Sequence, residues 1–311
     1  MTLSRRFYTG THDLPAMRAL LVECKQINPY TGFHTGDLAW WAYYDPSGIP
    51  LEDKVQLWER DGRLMAWGWG NPKSCDFELA LHPDLRGTDE EETILLTMID
   101  WITQVTRSQP PSRDEKGSEQ PRKIGAFAFD DEISRIALLE REGFTAAPWM
   151  VHFAQDLSGE LPAPVVPQGF RLLERMSPEY IDERAAAHFD AFRPTSKMNS
   201  AYFRHFMTAP DYDPELDIVV LAPDGRVAGY AQGWYDAENQ LSEYEPVGTR
   251  HEFHRRGVGR AALLAGLHRF KARGAKIATV STGAQQEGNI AFYESAGFRI
   301  VNRTCIYEKD V

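Results

Sequence analysis

An α/β fold of the α+β kind, built as two tandem domains, is the expectation that the 311-residue sequence raises. Two observations carry it. The order hairpin, strand, helix, strand, helix, Gly-Phe runs twice along the chain, once in each half, which points to an internal duplication. Between the two runs lies SGELPAPVVPQG, residues 158–169, whose three prolines and two glycines favour extended chain over helix or ladder bonding. It reads as a linker between a first domain, 1–157, and a second, 170–311. The length fits two domains at ~100–200 residues each. A hydrophobic share of 42% beside 25% charged residues supplies real cores and excludes disorder throughout.

In the first half, residues 55–59 and 64–69 are strands flanking the turn Arg60-Asp61-Gly62-Arg63. Residues 77–81 form the next strand and 90–106 a long helix. The stretch RSQPPSRDEKGSEQPRK, 107–123, has no hydrophobic anchor and reads as a mobile surface loop. A strand at 124–129 and a helix at 131–142 follow, ending at Gly143-Phe144. The second half opens with a strand at 170–173 and a helix at 182–192. The apolar strand DIVVLA, 217–222, turns through Pro223-Asp224-Gly225-Arg226 into 227–234, and another strand spans 241–249. A glycine-rich turn at 255–259 starts a helix that shows Leu263, Leu267 and Phe270 on one face and stops at Gly274. A buried strand at 277–280, a helix at 289–296 closed by Gly297, and a final strand region at 298–301 and 304–307 complete the chain.

A net charge of −11 disfavours broad attraction to nucleic acid or an anionic membrane. Cys24, Cys75 and Cys305 are odd in number and far apart, so no disulfide framework is expected. The nine histidines contain no HExxH, and nothing argues for a metal. The start has no apolar signal core, and no run approaches the ~18 apolar residues of a membrane span. A cytoplasmic location is the default expectation.

The segment with the sharpest chemistry is EYEPVGTRHEFHRRGVGRAA, residues 243–262. It sets a strand, a turn and Arg255-Arg256-Gly257-Val258-Gly259-Arg260 at a helix start. First-turn amides lack internal partners and the helix dipole favours an anion there. Glycines admit a pyrophosphate closely, and Arg255, Arg256 and Arg260 add charge that grips phosphate oxygens. The run from Gly257 to Ala262 also matches GxGxxA formally, but only about fifty residues follow and the next strand ends in Ser281-Thr282 rather than an acid. A Rossmann reading is therefore set aside, and no GKS or GKT forms a Walker A loop.

Residues 247–264 resemble motif A of the GNAT superfamily, whose core is Q/R-x-x-G-x-G/A. QEGNIAFYESAGF, 286–298, resembles the superfamily's motif B. The departures are His254 at the usual Gln/Arg position and Gln286 at the usual Asn position. The resemblance implies two tandem GNAT-like domains, each a mixed, mostly antiparallel twisted sheet flanked by helices. Size and architecture resemble the mycothiol synthase type of two-domain acetyltransferase. It implies acetyl-CoA as co-substrate, held in a V-shaped opening between strands 241–249 and 277–280. Val247, Gly248 and Thr249 would hold the pantetheine arm, with the Val247 amide polarising the thioester carbonyl. The amides of Arg256, Gly257, Val258, Gly259, Arg260 and Ala261 would hold the pyrophosphate, and Gln286 and Asn289 would position CoA. Pro246 removes a ladder donor where pairing should loosen.

Tyr293 matches the motif B tyrosine that in the family often protonates the CoA sulfur. Glu245 and Glu243 share one strand face before the splay, and either is a candidate base. In the first half, the matching helix start carries four acids, 89–92, and a single glycine, Gly87, which would repel a pyrophosphate. This half is expected to bind no CoA productively, while some of its tryptophans line an acceptor pocket at the domain boundary. The expected function is N-acetylation of a small-molecule primary amine through a ternary complex. Protein or peptide acetylation, and an acyl-CoA sensor without catalysis, stand as alternatives, and the chain is expected to be a monomer or homodimer.

Overall fold

The computed structural model describes residues 3–110, 119 and 121–311. Residues 111–118 and 120 of the surface loop expected at 107–123 lie outside the described residues. The first half runs β1 (Ser4–Phe7), α1 (Leu14–Ile27), α2 (Thr35–Tyr43), β2 (Val55–Arg60), β3 (Arg63–Asn71), β4 (Asp76–Leu81), α3 (Asp89–Ser108), β5 (Lys123–Phe129), α4 (Ile133–Arg141) and β6 (Thr145–Asp156). The second repeats that order as β7 (Arg171–Leu172), α5 (Ile181–Ala191), α6 (Ser200–Phe206), β8 (Asp217–Leu221), β9 (Val227–Asp236), β10 (Leu241–Thr249), α7 (Val258–Ala272), β11 (Ile277–Gly283), α8 (Glu287–Ser295) and β12 (Arg299–Asp310).

One 12-stranded sheet holds both halves, in the order β1-β2-β3-β4-β5-β12-β6-β11-β10-β9-β8-β7. All neighbours are antiparallel except β4 with β5 and β10 with β11. Each half gives its closing strand to the other: β6 pairs β11, β12 pairs β5, and β6 and β12 pair together at the centre. The order reads the same from either edge once each strand is matched to its repeat.

The last three elements of each half have equal lengths of 7, 9 and 12 residues, so they match residue for residue. Gly143-Phe144 falls on Gly297-Phe298, and both phenylalanines are buried.

Helices α7 and α8 cover a core with Leu263, Phe270 and Phe298, and α3 and α4 cover one with Ile94, Met98 and Phe144. A Cβ on Gly36 would meet Trp234 Cγ at 2.4 Å, so the first turn of α2 rests directly on β9 of the second half. Ala39 and Tyr44 accordingly join a core with Phe203, Phe206 and Trp234. This contact brings first-half side chains to the end of β10. Residues 157–170 carry neither helix nor strand. They run along α7, where His268 Nε2 meets Pro162 O at 3.0 Å and Lys271 Nζ donates to Ser158 O.

Candidate active site

Strands β10 and β11 pair from Leu241 with Ile277 to Tyr244 with Val280, and the ladder stops there. Pro246 has no N–H to offer, and the register of β10 on β9 shifts between Tyr244 and Val247. A cavity of about 480 Å³ opens in this fork, lined by Glu245, Pro246, Val247, Gln286, Asn289 and Tyr293 among others.

At the far end of β10, Gly257 caps α7 with φ 82°, a conformation that suits glycine, and no side chain caps the helix. The Ala261 amide makes the first intrahelical bond, to Gly257 O at 2.9 Å, which leaves the preceding amides at the positive end of the dipole. A Cβ on Gly259 would stand 3.0 Å from Thr249 Oγ1, so the helix start is seated on the end of β10. His254, in the position where the superfamily has Gln or Arg, ties this turn down: its Nε2 lies 3.0 Å from Thr249 O and its ring stacks on His251. The three arginines do not act alike. Arg256 lies 5.6 Å over the Phe253 ring, while Arg260 donates to Ser295 O at 2.8 Å, at the carbonyl end of α8. Arg260 is thus committed to a helix C-terminus, which attracts cations as strongly as a first turn attracts anions.

Gln286 and Asn289 interlock at the fork. Thr282 Oγ1 donates to Gln286 Oε1 at 2.8 Å, and Asn289 Nδ2 donates to Thr282 Oγ1 at 3.1 Å. Tyr293 is buried between Phe153 and Phe298. Burial first, then the charge of Glu245, raises its hydroxyl above the ordinary phenol range.

A second cavity, of about 310 Å³, adjoins the fork. Glu245, Trp149, Met150, Val280 and Ser281 line both. The second cavity is walled from the first half by Lys25, Tyr30, Phe33, Asp37, Trp41 and Glu78, and from β10 by Glu243 and Glu245. Glu245 is pushed up to about 8 by burial and then by Asp37. Burial and the charge of Asp37 also raise Glu243 well above the carboxylate range. Its Oε2 has no hydrogen-bond partner among the described residues and lies 3.4 Å from His34 Nδ1. That nitrogen already accepts from the Gly36 amide, so it presents a lone pair to Glu243, and a protonated carboxyl relieves the clash. Asp37 rises to about 6 through burial, although the His34 amide donates to it at 2.7 Å. Lys25 donates to the carbonyl oxygens of Pro29, Thr31 and Gly32.

Of the sequence-predicted residues, Glu245, Val247, Gln286, Asn289 and Tyr293 meet at the fork cavity, and Glu243 lines the second cavity only. Trp41 and Trp149 line the second cavity, whereas Trp58 and Trp67 are core. Lys25, Asp37 and Glu78 were missed. A signal for Glu78 exists: Asp76-Phe77-Glu78 repeats the acid-aromatic-acid run Glu243-Tyr244-Glu245. Among the described residues no group of three or more His, Cys, Asp or Glu could hold a metal ion, and no helix is long and apolar enough to cross a membrane.

Beside this forked sheet and uncapped, glycine-led helix, the model of the Acetyltransferase (GNAT) family matches residues 175–298, the segment that holds both. That match, with the relatives below, supports an N-acetyltransferase whose tandem arrangement resembles that of the mycothiol synthase type. It is similar to the mycothiol acetyltransferase of Streptomyces bingchenggensis, 28% identical over 242 residues, covering 75% of this chain and 72% of that one. The mycothiol acetyltransferase of Nocardiopsis dassonvillei is 23% identical over 299 residues, 84% of this chain and 82% of its own. Among solved structures, a tandem GNAT protein from the clavulanic acid biosynthesis pathway shares the fold with TM-score 0.68 at 14% identity, covering 99% of this chain and 98% of its own. A GCN5-related N-acetyltransferase from Sphaerobacter thermophilus does so with TM-score 0.66 at 21% identity, covering 99% and 95%. GNAT enzymes use acetyl-CoA as co-substrate.

Proposed function

We propose that the second half, 170–311, binds acetyl-CoA in its fork and transfers the acetyl group to a primary amine of a small molecule held in the cavity between the halves. The observation that carries this reading is that Glu245 lines both cavities and its carboxyl makes no hydrogen bond or ion pair among the described residues. A group at that junction reaches both the reacting amine and the thioester.

The α7 start fits a pyrophosphate: its amides are free of side-chain caps, and a Cβ at Gly259 would crowd Thr249. Val247, Gly248 and Thr249 would hold the pantetheine arm, with Gln286 and Asn289 on the other side. Acetyl-CoA supplies the activated acyl group and a thiolate leaving group.

Glu245 takes one proton from the acceptor's ammonium, which frees the nitrogen lone pair for attack on the thioester carbonyl in a ternary complex. As the C–N bond forms and the C–S bond breaks, Tyr293 gives a proton to the departing sulfur, the tyrosinate takes back the second proton lost by the nitrogen, and Glu245 returns its own to solvent; the raised hydroxyl stays protonated through neutral pH. Glu243, held neutral beside His34, is the neighbour of the base rather than the base.

The first half, 1–157, carries different side chains at the matched positions. Where Gln286, just before α8, and Asn289 and Tyr293 within it stand in the second half, the first has Glu132, just before α4, and Arg135 and Leu139 within it, these three all buried. Arg135 donates to Glu132 at 2.8 Å, which occupies that space with an ion pair. Thr88 and Glu91 satisfy the amides at the α3 start from within. This supports a donor site in one half only. The relatives' name, mycothiol acetyltransferase, favours a small-molecule acceptor over a protein.

The test is release of CoA thiol over a panel of small amines and of peptides with free N-termini. Turnover on a small amine supports the reading. Tight acetyl-CoA binding with no turnover on any amine would make the protein a sensor instead.

A further inference from the structure

Strand pairing assigns Glu78 a counterpart. Asp76 pairs Gly125 and Phe77 pairs Ala126 in the parallel ladder of the first half. Glu243 pairs Thr279 and Tyr244 pairs Val280 in that of the second. Gly125 and Thr279 are both the third residue of their strands, and Ala126 and Val280 the fourth. Glu78 and Glu245 are therefore the same position, the first residue after the last parallel pair. The exchange of β6 and β12 sets the two halves around one cavity, and both carboxyls line it.

The Glu78 carboxyl makes no hydrogen bond or ion pair among the described residues, its backbone being held in the ladder with β3. Three other acids share its cavity: Asp37, Glu243 and Glu245. The one lysine there, Lys25, spends its ammonium on three backbone carbonyls. The remaining walls are largely aromatic, with Tyr30, Phe33, Trp41 and Trp149. Unpaired carboxyls among aromatic faces are a site for ammonium groups, which gain both charge pairing and cation–π contact. The cavity has room beyond one amine, at about 310 Å³.

We infer that Glu78 is a specificity-determining residue: it binds a second ammonium group of the acceptor while the first is presented to Glu245, so the enzyme selects small diamines over monoamines. This inference rests on the proposal that the cavity holds the acceptor. It gives the first half, which has lost the donor equipment, a carboxylate retained for recognition. Asp37, brought in by the seating of Gly36 on Trp234, adds negative charge to the same wall.

Calorimetry separates the possibilities. The probes are α,ω-diamines from 1,4-diaminobutane to 1,8-diaminooctane, the matching monoamines, and the matching ω-amino alcohols, titrated into wild type and Glu78→Gln. The expected result is a diamine bound at least ~10-fold more tightly than its monoamine by wild type, the scale of one buried charge-assisted contact. Glu78→Gln should close that gap and leave acetyl-CoA affinity and monoamine affinity unchanged. No gap in wild type, or a gap that survives Glu78→Gln, overturns the inference. An amino alcohol that gains as much as the diamine also overturns it, because Glu78 would then read a hydroxyl. A diamine bound through Glu78 but never acetylated upholds the inference and sinks the catalytic reading, so the two failures are distinct. Glu78→Asp, which keeps the carboxyl, should preserve part of the preference and guards against a general loss of structure in Glu78→Gln.

Discussion

Glu245 and Tyr293 line the same fork cavity, and the charge of Glu245 adds to the burial that holds the Tyr293 hydroxyl above its ordinary range. The two groups are thereby pushed toward opposite tasks. A carboxyl near pH 8 exchanges protons close to neutrality, whereas a raised phenol holds its proton.

Tyr293→Phe removes the acid and keeps the ring among Phe153 and Phe298. kcat is expected to fall by ~10²–10⁴, with little change in the KM for acetyl-CoA. Steady-state kinetics over both substrates checks this, and an unaltered kcat would remove the residue from the mechanism.

Glu245 must be deprotonated to act as base, so kcat/KM for the acceptor should rise with pH and level off above about 8. Glu245→Gln should flatten that limb. The same shift acts on folding with a fixed sign. A carboxyl raised in the folded protein holds a proton that the unfolded chain releases, so its contribution to stability falls as pH climbs from about 4.5 to about 8. Urea titrations should find Glu245→Gln gaining on wild type across that window, with the gain constant above it. A difference that shrinks with pH would mean burial does not raise this carboxyl.

Gly259→Asp places a Cβ against Thr249 Oγ1 and a negative charge at the anion end of α7. Acetyl-CoA affinity should drop by ~100-fold or more, since both a charge-assisted contact and its geometry are lost. Gly259→Ala, which crowds without charging, should lose less. Calorimetry with acetyl-CoA reads both, and equal affinities in all three proteins would refute the pyrophosphate site.

Gly36→Val drives a branched side chain into Trp234, whose Cγ lies 2.4 Å from the built Cβ. Overpacking of this kind costs ~1–3 kcal/mol or more. Because α2 carries Asp37 to the acceptor cavity, acceptor KM should rise while acetyl-CoA affinity holds. Chemical denaturation and two-substrate kinetics test the pair, and a stable variant with wild-type KM would show that α2 does not set the cavity wall.

Much of this fold is written in local pattern. Asp61-Gly62 and Asp224-Gly225 announce hairpins, Gly274 and Gly297 announce helix ends, and motif spacing locates the fork. Helices α1, α2 and α6 escaped notice, α1 despite a regular buried face, α2 and α6 because their pattern is blurred. Strand-like aromatic content crowds α2, TGDLAWWAY, on every side because it is wedged between two cores, and α6 spans seven residues. Tyr293 was legible because it sits inside a motif of fixed spacing, and Glu245 because it stands on the strand just before Pro246 and the start of motif A. Asp37 was not, because the packing of α2 on Trp234 brings it to the cavity and no local rule encodes a contact across nearly 200 positions; nor was Lys25, which reaches the cavity from α1. Arg260 shows the opposite limit: its charge was plain, but its allegiance to Ser295 depends on where α8 lies.

The trade of β6 for β12 has a consequence for how such a chain changes over time. Neither copy is a free-standing unit, since each borrows an inner ribbon from its sibling. Severing the chain within 158–169 would yield two fragments that must reassociate to be whole. Selection can therefore erase the chemistry of one copy while conserving its framework, and a carboxylate left on that framework is at hand for another use.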